Sequence, residues 1–201
     1  MTTTPHRTTH VTTTTTTMTT QGSDRMSRLR VPVQLRWSDM DAYGHINNVE
    51  MFRVLEEARI AAFWAHPHPG DDGGWPTAVI DAGPGSQTVM LVARQEIEYL
   101  RPLGYRRAPI IVELWIGHLG GASVEVCYEV HDGEGGTEEH DLPATDVPEG
   151  EPPIVYARAA TTLVLVDPAT GSPRRLTDAE RASWSPYFGD AVKLRRRGST
   201  T

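Results

Sequence analysis

Leu29, Val31, Val33, Leu35 and Trp37 alternate with Arg30, Pro32, Gln34 and Arg36. This period of two predicts a strand with one buried face, and Pro32 suits an edge or strand-start position. Four later stretches behave similarly: Val89–Leu91–Ala93 leading on to Ile97 and Tyr99, Ile110–Val112–Leu114–Ile116, Val124–Val126–Tyr128–Val130, and Val155 to Val166. The last runs into the turn sequence Asp167-Pro168-Ala169-Thr170-Gly171. Gly117-His118-Leu119-Gly120-Gly121 is short enough for a hairpin link, so the later strands are expected to run antiparallel. A short strand is also expected around Ala78–Asp81.

One long helix is predicted. Asn47 can cap it, and Glu50, three residues on, can reach back to the cap amide in a capping-box variant. Val49 to Ala65 follows without Gly or Pro, and His66-Pro67-His68-Pro69-Gly70 stops it. At ~100° per residue, Arg53 and Glu57 fall within about 60° of Glu50, which leaves most of the circumference apolar. Such a helix is wrapped by a sheet rather than resting on one. Glu56 and Arg59 lie off the polar stripe and are spaced to pair as they become buried. A second, short helix should start at the capping box Thr177-Asp178-Ala179-Glu180 and end before Pro186. The fold class is therefore α+β, an antiparallel β-sheet curled around one long α-helix.

Composition bounds this domain at 27–188 of the 201 residues. Residues 1–26 are Thr-rich, with 13 threonines among the first 20, and carry no apolar period that could offset ordering; a disordered tail is expected. Within 131–153 stand Asp132, Glu134, Glu138, Glu139, Asp141, Asp146, Glu149 and Glu151, with no Lys or Arg. Setting these eight acids aside turns the net charge of −7 into +1, so this Gly- and Pro-rich insertion carries the protein's acidity. It reads as a flexible excursion between two strands and fits no EF-hand spacing. Residues 189–201, with Lys193, Arg195, Arg196 and Arg197, read as a flexible basic tail.

The charge balance speaks against nucleic acid as a partner. No stretch approaches the roughly 18–20 apolar residues of a membrane span, and the N-terminus lacks the apolar core of a secretory signal, so no membrane association and a cytoplasmic location are expected. Cys127 is the single cysteine, which excludes an intramolecular disulfide; with acidic strand neighbours it reads as structural. His66, His68, His131 and His140 have no metal-ligand spacing, and no HExxH occurs, so no metal is expected. The absence of a Gly-x-Ser-x-Gly elbow removes the serine-hydrolase type of chemistry.

Candidate chemistry concentrates in Ser38-Asp39-Met40-Asp41-Ala42-Tyr43-Gly44-His45-Ile46-Asn47-Asn48, the loop that feeds the long helix. The first amides of a helix point outward with about half a positive charge in aggregate, enough to polarise a carbonyl oxygen and stabilise a developing oxyanion. A carboxylate a few residues upstream could attack that carbonyl or activate water against it. The loop alone thus suggests acyl transfer or hydrolysis, although Asp and Asn before a helix also serve simply as turn and capping residues.

The run Arg36 to Asn48, continued by Glu56-Glu57-Ala58-Arg59, resembles hotdog-fold acyl-CoA thioesterases of the 4-hydroxybenzoyl-CoA thioesterase-like family. Ile97-Glu98-Tyr99-Leu100-Arg101-Pro102-Leu103 and Gly120-Gly121-Ala122-Ser123 are similar to that family's later strands, and the likeness spans roughly residues 29–185 apart from the acidic insertion. The resemblance implies the hotdog fold, with Asp41 as the catalytic carboxylate, acting as nucleophile or as general base. It implies that the backbone N–H of Asn48, helped by Val49, binds the thioester carbonyl. Asp39 is expected to order the loop, and Gly44 to allow a tight turn or a close ligand approach. His45 either hydrogen-bonds within the loop or touches the thioester. Arg94, Arg101, Arg106 and Arg107 are candidates for the nucleotide phosphates or ordinary surface arginines.

An acyl-CoA substrate is implied, with no cofactor beyond the coenzyme A of the substrate, in a homodimer or homotetramer whose sites lie at subunit boundaries. An acyl-carrier-protein thioesterase of the same fold and a non-catalytic acyl-CoA-binding protein are the alternatives. The chain departs from the family in its acidic insertion, expected to project away from the phosphates, and in aliphatic Met51 and Val54 where such helices often carry aromatics.

Overall fold

The computed structural model describes residues 27–65, 75–81, 85–132 and 153–195. The Thr-rich segment 1–26, the helix-stop sequence with His66 and His68, insertion residues 133–152 with His140, and residues 196–201 lie outside the described residues.

In chain order the elements are β1 (Leu29–Val33), α1 (Asn48–Phe63), β2 (Trp64–Ala65), β3 (Ile80–Asp81), β4 (Val89–Tyr99), β5 (Ile110–Leu119), β6 (Ser123–His131), β7 (Val155–Val166) and α2 (Asp178–Trp184). Five strands form one sheet in the order β1-β5-β6-β7-β4, every neighbouring pair antiparallel. The expected α+β class with an antiparallel sheet is the one observed. β2 and β3 make a separate parallel pair.

Period-two alternation divides the sheet into two faces. Val31, Val112, Val126 and Leu165 point inward and share one core with Met51, Val54, Leu55, Ala58, Ala62 and Phe63 of α1. On the outer face a charged row crosses all five strands in register: Arg30, Glu113, Glu129, Arg158 and Glu98. Glu113 and Glu129 stand side by side, a repulsive arrangement if left alone. Arg28 bridges them, at 3.0 and 2.8 Å, while its guanidinium lies 4.0 Å above the Trp115 ring.

The first strand is shorter than its alternation suggests. β1 ends at Val33; Leu35 stays buried, but Trp37 is 73% exposed. The chain turns there into a 3-10 helix, Trp37–Asp39, which buries the Asp39 side chain in place of the indole. At its far end α1 stops at Phe63, because Trp64 and Ala65 pair instead with Ile80 and Asp81, the short strand expected nearby. Glu50 does not close a capping box. The Asn47 amide already donates to the Asp39 carbonyl at 2.8 Å, and Glu50 pairs with Arg53, one turn along. Arg59 is buried and 3.5 Å from Glu56, whose side chain stays 56% exposed, so only one member of that pair enters the core.

The expected five-residue link after β5 is mostly strand. Register shifts between Ile116 and His118, and Gly117 absorbs the bulge, so His118 and Leu119 go on to pair with Glu125 and Val124.

Residues 189–195 are not the flexible tail that their composition suggests. The Gly189 amide donates to Ile116 O (2.8 Å), Trp115 Nε1 to Asp190 O (2.8 Å) and the Val192 amide to Cys127 Sγ (3.3 Å), and Arg195 pairs with Glu98 at 3.0 Å. The segment straps the outer face of the sheet, held by the Ile116 carbonyl, the Trp115 indole, the buried Cys127 thiol and the Glu98 carboxylate. Burial beneath it pushes the Cys127 thiol up to about 11, in keeping with a structural cysteine. No helix among the described residues is long and apolar enough to cross a membrane.

Candidate active site

Turn chemistry builds the loop before α1. Gly44 takes φ +79°, the left-handed conformation that favours glycine. Its amide donates to Asp41 O at 3.1 Å, and the Asp41 amide donates to His45 O at 2.7 Å. The half-buried Asp41 carboxylate is fixed through Oδ1, which accepts from the Tyr43 amide (2.8 Å) and the His45 amide (3.1 Å). Oδ2 has no hydrogen-bond partner among the described residues and is left to meet a ligand or water. The loop is sewn to the chain after β4 by the Ile46 amide donating to Leu103 O (2.7 Å) and by a bridge between His45 and Gly104.

Asn47 caps α1 as expected, its side chain accepting from the Val49 amide at 2.9 Å. That bond corrects one expectation: the Val49 N–H is already engaged and is not available to a substrate carbonyl. The Asn48 N–H, one residue earlier, has no acceptor among the described residues and sits at the positive end of a 16-residue helix.

A groove of about 290 Å³ opens where loop, helix and strand end meet, lined by His45, Ile46, Met51, Tyr99 and the segment 100–103. Ile46, Met51 and Leu103 are buried and give it an apolar floor, while His45, Tyr99 and Arg101 supply polar groups. Of the predicted site residues, His45 and Arg101 line the groove directly. Asp41 joins it through its bonds to His45, and Asn48 through its carbonyl, which accepts from Tyr99 Oη at 3.2 Å. Arg94 is not brought in. It lies five residues, roughly 16 Å of extended chain, before Tyr99, is 71% exposed and pairs with Glu96 at 2.6 Å. Arg106 is likewise committed elsewhere, donating to Tyr156 Oη at 2.8 Å.

Tyr99 is the residue that sequence reasoning missed. The sequence places it in an alternating strand and in the run Ile97 to Leu103 without assigning it a role, although an aromatic with a polar tip directly before Leu100-Arg101-Pro102 marks a strand end facing a turn. Partial burial pushes its hydroxyl pKa up, so at neutral pH it is a hydrogen-bond donor. No cluster of three or more metal-ligating side chains occurs among the described residues.

No curated protein matches this chain in sequence. Solved structures do. A candidate thioesterase from Pseudomonas aeruginosa is 26% identical with a TM-score of 0.53, the match covering 79% of this chain and 97% of that one. A predicted thioesterase from Bacillus stearothermophilus is 18% identical with a TM-score of 0.58, over 83% and 100%. A candidate thioesterase from Escherichia coli, YbaW, is 20% identical with a TM-score of 0.51, over 80% and 97%. The likeness in shape is that of the hotdog fold. The model of the thioesterase-like superfamily matches residues 35–192, which takes in the loop, both helices, strands β2 to β7 and the start of the strap, and the chain belongs to that superfamily.

Proposed function

We propose that this protein hydrolyses acyl-CoA thioesters, with Asp41 and the Asn48 amide as the reacting pair. The observation that carries the reading is a carboxylate with one oxygen fixed by two backbone amides, in the loop that runs into α1, whose first amide, like the carboxylate's other oxygen, has no partner among the described residues. In this reading the thioester carbonyl accepts from Asn48 N–H, and the helix dipole stabilises the oxyanion as it forms. Asp41 either attacks the carbonyl carbon, giving an acyl anhydride that water cleaves, or takes a proton from the attacking water. Both routes break the C–S bond, release coenzyme A as the thiol once it gains a proton, and leave a carboxylic acid.

Arg101 at the groove supports an anionic substrate end, and the apolar floor of Ile46, Met51 and Leu103 supports an acyl group. In the hotdog arrangement the sheet curls around α1, and two copies join along a sheet edge. β4 has that character here: it is one of the two terminal strands and exposes Leu91 at 50% and Val92 at 45%. A homodimer paired through β4 is therefore part of the proposal.

The test is thiol release across aliphatic and aromatic acyl-CoAs, comparing the wild type with Asp41→Asn. Turnover by the wild type, reduced roughly 10²–10⁴-fold in the variant, is expected. Equal rates for the two proteins sink the assignment. Tight binding without turnover transfers it to a carrier-protein thioester or to a sensor.

A further inference from the structure

Asp39 is the point on which three segments converge. Its side chain is 3% exposed, and Oδ2 accepts from the Arg36 amide (2.7 Å), where the loop begins, and from Arg53 Nη2 (2.6 Å) in the second turn of α1. Its carbonyl accepts from the Asn47 amide (2.8 Å), where the loop ends. Each of the three Arg53 guanidinium nitrogens meets a carboxylate: Nε donates to Glu50 (2.8 Å), Nη1 to Glu57 and Nη2 to Asp39. Glu50 and Glu57 lie on the same face of the helix, one turn to either side, and set the plane of the fork so that its free arm meets the buried carboxylate. A surface ion pair would need none of this, since a lysine at position 53 could neutralise either glutamate.

Asp41 follows Asp39 by two residues, and Asn48 follows Asn47 by one. The contacts at Asp39 therefore fix the two groups assigned to the chemistry relative to each other. We infer that Arg53 is a positioning residue which, acting through Asp39, holds the Asp41 loop in register with the N-terminal amide of α1. This inference rests on the thioester-hydrolase reading. A displacement of about 1 Å between carboxylate and oxyanion donor costs on the order of 10²-fold in rate. Because neither Arg53 nor Asp39 lines the groove, the loss falls on kcat and leaves KM alone.

Arg53→Lys keeps the charge and removes the fork, and so spares the fold where Arg53→Met leaves a buried carboxylate unpaired. Thiol-release kinetics on the homogeneous full-length protein would compare the wild type, Asp41→Asn, Arg53→Lys, Asp39→Asn and the double variant Asp39→Asn/Arg53→Lys. Thermal melts would confirm that each is folded. The expected result is a kcat lowered 10- to 100-fold in Arg53→Lys with KM within twofold, and a double variant no slower than the slower single. A wild-type kcat in Arg53→Lys, a change confined to KM, or losses that multiply in the double variant would overturn it. If the wild type turns over no thioester, the functional reading fails instead, and amide NMR decides the positioning role separately. The Tyr43 and His45 amides bonded to Asp41 must shift in Arg53→Lys while Ala61 and Ala62 stay in place. Unmoved loop resonances would overturn the inference.

Discussion

Glu113 Oε1 and His131 Nε2 meet 3.4 Å apart on the outer face of the sheet, with the imidazole 2% exposed. The adjoining His131 imidazole, together with the Arg28 guanidinium bonded to the same carboxylate, outweighs partial burial and holds the Glu113 carboxyl down at about 2, against its ordinary 4.5. A carboxyl depressed in the folded state stabilises that state above the unfolded pKa, and the contribution disappears as pH falls through the folded one. The gross linkage of roughly 3 kcal/mol is discounted for solvent at this partly exposed site to about 1–2 kcal/mol. Glu113→Gln should therefore lower the unfolding free energy by about that much at pH 7. The gap from wild type should narrow between pH 4.5 and 2, as followed by denaturant titration at each pH. A gap that is constant with pH would refute the assignment.

A second prediction concerns Gly44. A Cβ built there meets nothing within 4 Å, so substitution costs only what φ +79° imposes on an L-residue, about 1–2 kcal/mol. The turn holds the Asp41 carboxylate, and a loop can relax locally without unfolding the sheet. Gly44→Ala should therefore lose roughly tenfold in kcat, corresponding to ~1.4 kcal/mol, with a melting temperature close to wild type. Gly44→Asn should retain most activity, because Asn tolerates the left-handed region. Equal losses in the two variants would mean that the turn conformation is not what matters.

How far such features were legible beforehand depended on how local their causes are. The Asp41–His45 turn follows from adjacent residues (an Asx side chain, a glycine, a cap), and the loop could be picked out by its types and order. The inner-face valines of β5 and β6 were equally plain, since a period of two is a property of consecutive positions. Trp37 misled because strand alternation was extended past Val33, where burying Asp39 outweighs burying the indole. The Tyr99–Asn48 bond joins residues 51 apart in sequence, and no local pattern announces it. The strap escaped notice for a related reason. Residues 189–195 carry no apolar period, and what holds them is one backbone carbonyl and an indole from β5, a thiol from β6 and a carboxylate from β4.

That strap makes Gly117 sensitive. A Cβ at this position would lie 2.6 Å from Cys127 Sγ, 2.8 Å from Glu125 Oε1 and 3.4 Å from Ala191 Cα. The thiol is buried and cannot swing into solvent, so the added methyl must displace the strap. Overpacking of this kind costs about 1–3 kcal/mol. Gly117→Ala should lower the melting temperature and also speed native-state labelling of Cys127, the single cysteine, by a chromogenic disulfide. Labelling at the wild-type rate would show that the strap does not cover the thiol.

Trp184 locks α2 onto the rest of the domain, and its replacement should be the most damaging of these changes. Its ring is fully buried and meets Phe63 of α1 edge-on, with centroids 5.4 Å apart and planes at 77°. Its indole N–H donates to Thr77 O at 3.0 Å, and Thr77 Oγ1 in turn donates to Ala62 O, so one side chain ties α2, the segment before β3 and the end of α1 together. Trp184→Ala removes the ring and leaves a cavity, for an expected loss of about 3–5 kcal/mol. Trp184→Phe keeps an aromatic against Phe63 and leaves the Thr77 carbonyl with the Val79 amide (2.9 Å) as its remaining donor, and should cost about 0.5–1.5 kcal/mol. A double-mutant cycle with Phe63→Ala should return a coupling of about 0.5–1.5 kcal/mol for the edge-to-face contact itself. Urea unfolding with an unchanged m-value is the measurement, and a loss below ~1 kcal/mol for Trp184→Ala would place the packing of α2 outside the cooperative core.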